Sequence, residues 1–111
     1  MPRYVLKRSP RKDKKFVMIM PDEGHTHHFG ATGYRDYTLM NDSASKFYEP
    51  DEAERKRVRK RYRDRHRSDK GLGSRHSPAE LAWSLLWTKP TLSESIKYYE
   101  RKFKVHIINK T

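Results

Sequence analysis

A chain of 111 residues, 33% hydrophobic and 36% charged, is expected to form one small domain with a limited core. Its formal net charge of +12, from 26 Lys and Arg against 14 Asp and Glu, favours a polyanionic partner such as nucleic acid, an anionic membrane or an acidic protein. The absence of cysteine excludes disulfides, thiolate metal sites and a cysteine nucleophile, and it fits a reducing intracellular setting.

The longest apolar stretches, residues 16–20 and 81–87, are too short to span a bilayer. The N-terminus lacks the apolar run of a secretory signal. We therefore expect a soluble protein that stays in the compartment where it is made.

The N-terminal third predicts a small antiparallel sheet. A short strand at residues 4–6 is followed by a second at 16–20, which ends in the turn sequence Pro21-Asp22-Glu23-Gly24. A strand at 25–29 would pair back as a hairpin. Residues 34–40 are a possible fourth strand after Gly30 and Gly33.

Residues 51–67 predict a long basic helix. Acidic residues after Pro50 occupy the first turn, where the helix dipole favours them. Nine of the thirteen residues from Arg55 to Arg67 are Lys or Arg, and Val58 and Tyr62 form a narrow apolar contact stripe. Gly71 and Gly73 then interrupt the helix.

Residues 77–104 predict a helical hairpin. Ser77-Pro78-Ala79-Glu80 and Thr91-Leu92-Ser93-Glu94 have the pattern of capping boxes at the two helix starts. The first helix should run through Trp87, the second carries one apolar stripe, and tryptophans should pack the pair. Residues 105–108 either return as an edge strand or simply dock. The predicted fold is α+β, in a single domain over residues 1–111 with a β-rich region at 1–40.

The C-terminal half resembles a family of small basic proteins that large DNA viruses of algae and protists encode, often in several copies. The similarity covers roughly residues 34–104 and lies in Arg35-Asp36-Tyr37-Thr38, in Arg61-Tyr62 with Arg65-His66, and most specifically in Trp87-Thr88-Lys89-Pro90-Thr91-Leu92. The resemblance implies a viral origin and a virion-associated or genome-associated role, in the virion and in the host cytoplasm or nucleus during infection. The acidic stretch at 49–54 and the histidine-rich strand depart from the family pattern.

The basic helix is the strongest functional signal. Duplex DNA carries one negative charge per ~1.7 Å, so a cationic helix face can neutralise several phosphates, and guanidinium groups can bind them in bidentate fashion. The predicted phosphate contacts are Arg55, Arg57, Arg59, Lys60, Arg61, Arg63 and Arg65, supported by Lys12 and Lys14. An ordinary solvated helix face and an acidic protein surface are the alternatives. No motif predicts recognition of a particular base sequence.

Three histidines of the third strand, His25, His27 and His28, raise the question of a metal. His25 and His27 would share one face of a strand, and a third ligand would have to come from His66 or His76. Histidines in an exposed hairpin are the favoured interpretation, so no metal and no cofactor is predicted.

The aromatic residues of the hairpin allow two roles. Trp83 and Trp87 could stack on bases, but their leucine neighbours favour core packing. Tyr99 falls on the apolar stripe of the second helix, whereas Tyr98 lies off it and could face a partner.

No phosphate-binding glycine loop, cysteine nucleophile or evident carboxylate pair predicts catalysis, so we expect a protein that is not an enzyme. The predicted function is sequence-independent binding and compaction of viral DNA. A minor capsid or cement protein, whose basic face docks acidic capsid subunits or the inner membrane, is the alternative. A regulatory factor that recognises particular DNA sites is a third possibility. The sequence predicts no oligomeric state.

Overall fold

The computed structural model describes all 111 residues and confirms the α+β class: a four-stranded sheet with four helices. No helix has the length and apolar character needed to cross a membrane. The strands and helices have the following bounds: β1 Arg3–Arg8, β2 Lys14–Met20, a 3₁₀ turn Pro21–Glu23, β3 His25–Ala31, α1 Tyr37–Met40, α2 Glu52–His66, α3 Pro78–Leu86, α4 Leu92–Phe103 and β4 His106–Lys110.

The sheet has the strand order β3-β2-β1-β4. The first three strands form the predicted antiparallel meander, in which Phe16 pairs with Phe29 and Leu6 with Met18. The C-terminal segment is an edge strand, one of the two predicted alternatives, and it lies parallel to β1 with Tyr4 opposite Ile107. The two ends of the chain therefore meet in one sheet.

The expected strand at residues 34–40 is wrong, because the short helix α1 occupies its second half. Asp36 is the N-cap: its Oδ1 accepts hydrogen bonds from Leu39 N at 2.9 Å and Thr38 Oγ1 at 2.6 Å. Its Oδ2 accepts from Lys15 Nζ at 2.7 Å. A buried aspartate that satisfies helix N–H groups favours the helical turn over the extended chain.

The core lies between the sheet and α3 and α4. Its sheet side includes Tyr4, Leu6, Met18, Met20 and Phe29, and its helical side includes Leu81, Leu85, Leu86, Ile96 and Tyr99. Gly30 has φ +80°, and a Cβ at this position would lie 2.9 Å from Leu86 Cδ1. A glycine is therefore needed where α3 approaches the end of β3.

Both hairpin helices begin at the predicted caps, but neither capping box is complete, because neither glutamate accepts from the backbone N–H of its N-cap residue. Ser77 Oγ accepts from Ala79 N at 3.1 Å, and Thr91 Oγ1 accepts from Glu94 N at 3.1 Å. Glu80 does not return to Ser77 N. Its buried carboxylate accepts hydrogen bonds from Gly73 N at 2.7 Å, from Lys102 Nζ at 2.9 Å and from Ser84 Oγ. Satisfying a buried charge overrides the local capping pattern.

Candidate nucleic-acid interface

The basic helix α2 begins where the sequence predicts. Asp51 Oδ1 accepts from Ala53 N at 3.0 Å, and Glu52 and Glu54 lie in the first turn. Val58 is the one buried residue of α2, and the half-buried Tyr62 packs against the core beside it. Arginines of α2 add polar contacts to these apolar ones.

One face of α2 directs arginines, four residues apart, toward the rest of the protein. Arg55 Nη1 donates to Glu49 O at 2.6 Å. Arg59 donates through Nε and Nη2 to Thr88 O, at 3.2 and 2.9 Å. The Arg63 guanidinium lies over the Trp83 ring, 4.5 Å from its centroid, with Nη1 3.5 Å from Thr88 Oγ1. These three predicted phosphate contacts already have partners inside the protein.

Arg59 and Arg63 reach the C-terminal end of α3, which stops at Leu86 with Trp87 as its C-cap, one residue before the predicted end. Thr88 follows the C-cap, so its carbonyl oxygen lies just beyond α3, at the end where the helix dipole favours cations. Burial, together with the charges of Arg59 and Arg67, lowers the pKa of Arg63 below the usual arginine value. The inward face of α2 is thus a docking surface for α3.

The other face of α2 presents cations to solvent. This outward face comprises Lys56, Arg57, Lys60, Arg61, Arg65 and Arg67, all of them exposed. Glu54 pairs with Arg57 and Arg61 at 3.4 and 3.3 Å, and Asp64 pairs with Lys60 at 2.7 Å. Exposed ion pairs of this kind contribute little to stability, about 0–1 kcal/mol. The cations can therefore exchange these partners for others.

The predicted supporting contacts, Lys12 and Lys14, lie at the turn between β1 and β2. Lys12 is exposed and Lys14 is half-buried at the start of β2, opposite Ala31. Asp13 O in the same turn accepts from Thr32 N at 3.1 Å. This turn therefore adjoins the segment that follows β3.

A cleft of about 540 Å³ separates that segment from α2. The sheet side of the cleft contributes Lys15, Ala31, Tyr34 and Arg35, and α2 contributes Arg61 and Arg65. Tyr34 is 70% exposed at its rim. Arg35 was not among the predicted contacts, because a single arginine after two glycines carries no periodic signal, and only the tertiary structure places it opposite α2.

The wall of the cleft is a stack of three rings. Tyr62 lies on Trp87 with centroids 4.1 Å apart and planes 5° apart, and His66 stacks on Tyr62 at 4.1 Å. Burial raises the pKa of Tyr62 to about 12, so its hydroxyl stays neutral. Trp87 is buried in the core, where its packing contacts include α2.

The two adjacent tyrosines of α4 differ, one lying in the core and the other at a lysine-rich edge. Tyr99 is fully buried and its hydroxyl donates to Arg75 O at 3.2 Å. Tyr98 is half-buried between the ammonium groups of Lys89 and Lys102, which lie 5.9 and 5.8 Å from its ring centroid.

The structure separates the histidines of β3. His28 Nδ1 lies 2.8 Å from Ser9 Oγ, whereas His25 and His27 stack on each other with centroids 5.4 Å apart. His76 joins them, stacking on His25 at 4.2 Å. His66, the other proposed third ligand, instead contacts Asp69 Oδ2 at 2.6 Å through Nδ1.

Residues 4–49 match the model of a family of unknown function (DUF5754). That segment contains β1, β2, β3 and α1 and ends just before α2, so the match covers less than half of the chain and excludes the basic helix. No curated protein and no solved structure matches the chain.

Proposed function

We propose that this protein is a non-enzymatic nucleic-acid-binding protein that contacts phosphates through the outward face of α2 without recognising base sequence. The resemblance to virus-encoded basic proteins extends the proposal to compaction of viral DNA, in the virion or at the site of replication.

The observation that supports this proposal is the density of accessible charge on α2. Six exposed cations lie between Lys56 and Arg67, a span of about 16 Å along a helix axis. Duplex DNA presents about one phosphate charge per 1.7 Å of axis. A helix laid against the phosphate backbone can therefore contact several phosphates at once.

The ion pairs within the outward face do not prevent its cations from contacting phosphates. Three acidic residues, Glu52, Glu54 and Asp64, partner its cations at the helix surface. Because the pairs are exposed, replacing a carboxylate by a phosphate costs little, and the bound counterions of the DNA are released.

The cleft beside α2 extends the same surface. Arg35 faces Arg61 and Arg65 across it, and the turn with Lys12 and Lys14 adjoins its sheet side. The proposed contacts are accordingly Arg57, Lys60, Arg61 and Arg65 with Lys12, Lys14 and Arg35, whereas Arg55, Arg59 and Arg63 position the helix.

A capsid cement protein remains the alternative, because the same cations would dock acidic subunits. Such a protein needs a contiguous apolar contact patch. The large hydrophobic residues that are exposed number four, Met1, Tyr34, Tyr48 and Ile108. So few exposed apolar side chains give the alternative less support.

The test is the affinity for random duplex DNA, single-stranded DNA and anionic vesicles across roughly 50–300 mM salt. Log affinity for duplex DNA should fall with log salt at a slope near −0.9 per phosphate contacted. Replacing Arg57, Lys60, Arg61 and Arg65 together by Gln should reduce the magnitude of that slope by about 3 to 4.

The matched control removes four exposed cations elsewhere by changing Lys7, Lys97, Arg101 and Lys110 to Gln. The two variants have the same net charge, so a much smaller slope change in the control supports a localised interface. Equal changes would mean that net charge alone drives binding. Weak duplex binding whose affinity and salt slope do not change with the α2 substitutions would contradict the proposal and favour the cement role.

A further inference from the structure

Three histidines meet at one corner of the molecule, away from the cleft. His25 and His27 come from the edge strand β3, and His76 comes from the loop that precedes α3. One ring nitrogen from each lies within 4.8 Å of the other two. Residues 49 positions apart in the chain thus converge on one small volume.

The two strand histidines lie on the core side of the sheet. His25 is paired with Met20 and His27 with Met18, and both methionines are fully buried. Side chains of paired residues point to the same face of a sheet. The prediction of histidines in an exposed hairpin strand holds for His25, which is exposed, but not for His27, which is half-buried.

His27 carries an unsatisfied polar atom. Its Nε2 is buried and has no hydrogen-bond partner. Buried polar nitrogens are nearly always paired, so an orphaned one needs an explanation. A ligand that accepts an imidazole lone pair is such an explanation.

A carboxylate lies just outside the cluster. Glu23 Oε1 is 3.4 Å from His76 Nε2 and accepts from Arg75 Nε at 3.0 Å. Carboxylates beside metal-bound imidazoles orient the rings and raise their basicity.

We propose that His25, His27 and His76 form a binding site for one zinc-class divalent transition-metal ion, with water completing the coordination. Three neutral imidazoles are the ligand set that Zn²⁺ accepts in open tetrahedral sites. Zn–N bonds of about 2.0–2.1 Å place tetrahedral ligand atoms about 3.4 Å apart. Small side-chain rotations, of which the exposed His25 is capable, close the remaining gap.

The ion would tie the edge strand β3 to the loop between α2 and α3. That loop contains Gly71 and Gly73, both with positive φ, and it carries the chain from the basic helix to the hairpin. Binding only to the folded chain would raise the melting temperature with increasing Zn²⁺. This inference is independent of nucleic-acid binding by α2.

The test uses the full chain without a histidine tag. Calorimetric titration with Zn²⁺ should saturate at one ion per chain at micromolar concentrations, and Co²⁺ should give the intense visible bands of a four-coordinate site. His25→Gln and His76→Gln should each weaken Zn²⁺ binding by about 100-fold and remove the Co²⁺ bands. His25 is exposed, so its variant keeps the test informative if the His76 variant fails to fold.

The matched controls are His28→Gln and His106→Gln, which remove imidazoles outside the cluster. Both should bind Zn²⁺ as the wild type does. The proposal is overturned if His25→Gln binds with wild-type affinity, if the controls lose as much as the cluster variants, or if the wild type shows no stoichiometric binding.

Discussion

The two faces of α2 carry the same residue types but contact different partners. Arg57 and Arg59 are two positions apart, yet Arg57 pairs with Glu54 in solvent, whereas Arg59 donates twice to the carbonyl of Thr88. Lys60 and Arg63 differ in the same way, since Lys60 pairs with Asp64 and Arg63 covers Trp83. Positive charge in a helix therefore does not by itself indicate a partner: a neighbouring helix end can use the same guanidinium groups.

The difference has a physical cause in the surroundings of each group. The chain at the C-terminal end of α3 offers the carbonyl oxygen of Thr88 and the indole face of Trp83 in a partly buried setting, where hydrogen bonds to charged groups are strong. The outward face offers only exposed carboxylates, whose pairs with cations are weak. The inward cations should thus affect the free energy of unfolding, and the outward cations should affect the proposed affinity for duplex DNA.

The largest expected effect is that of Arg59→Met on stability. Methionine keeps the length and apolar character of the stem but removes both hydrogen bonds to Thr88 O, so we expect a loss of about 1.5–3 kcal/mol in the free energy of unfolding. Urea denaturation followed by circular dichroism measures this loss. The outward control, Arg57→Met, should change stability by no more than about 0.5 kcal/mol; equal losses would erase the distinction between the faces.

Arg63→Met should have a smaller effect on stability. It removes the cation–π contact with Trp83 and a long hydrogen bond to Thr88 Oγ1, which together predict a loss of about 0.5–2 kcal/mol. The Trp83 environment changes as well, so the tryptophan emission spectrum should shift in Arg63→Met and not in the outward control Lys60→Met. An unchanged spectrum together with unchanged stability would mean that this contact does not hold α2 in place.

The smallest expected effect concerns Asp64, on the outward face. Asp64→Asn removes the carboxylate that pairs with Lys60 and Arg67, so Arg67, which is not one of the proposed contacts, becomes available to one more phosphate. The magnitude of the salt slope for duplex DNA should rise by about 1. Asp22→Asn, at an exposed turn residue outside α2, is the control for the change in net charge; an equal rise there would refute a local effect.

The same substitution has a defined pH dependence. Hydrogen bonds from Lys60 and Arg67 lower the pKa of Asp64. A lowered folded-state pKa contributes stability above the unfolded value, near 4, and loses it as the pH falls through the folded value. Any stability difference between wild type and Asp64→Asn should therefore vanish in that acidic range. The difference between wild type and Arg59→Met should persist there, because its acceptor is a backbone carbonyl that does not titrate.

Much of the architecture could be predicted locally. The meander follows from turn residues between β-prone runs, and Asp51, Ser77 and Thr91 cap the helices that follow them. The helix α1 could not be predicted from local sequence, because the aromatic and aliphatic residues of 34–40 favour a strand and only the hydrogen bond from Leu39 N to Asp36 fixes a helical turn. The role of Glu80 could not be predicted either, since its partners Gly73 and Lys102 come from other segments of the chain.

The candidate sites could likewise be predicted only in part from the sequence. The basic run at 55–67 predicted which helix carries the charge, but the spacing of four between Arg55, Arg59 and Arg63 acquires its meaning only once α3 lies against that face. His76 was named as one of two third ligands, and no periodicity could select it over His66, because the choice depends on how the loop before α3 folds against β3.

The sequence by itself determined the α+β fold class, the order of most of the strands and helices, and the excess of positive charge. These features depend on composition, short-range spacing and capping residues that act within a few positions. Tertiary structure alone decided the parallel pairing of β4 with β1, the division of α2 into an inward and an outward face, and the meeting of three histidines at one corner. The physical reason is that each of these features depends on contacts between residues far apart in the chain, whose free energy exists only when the whole core has formed.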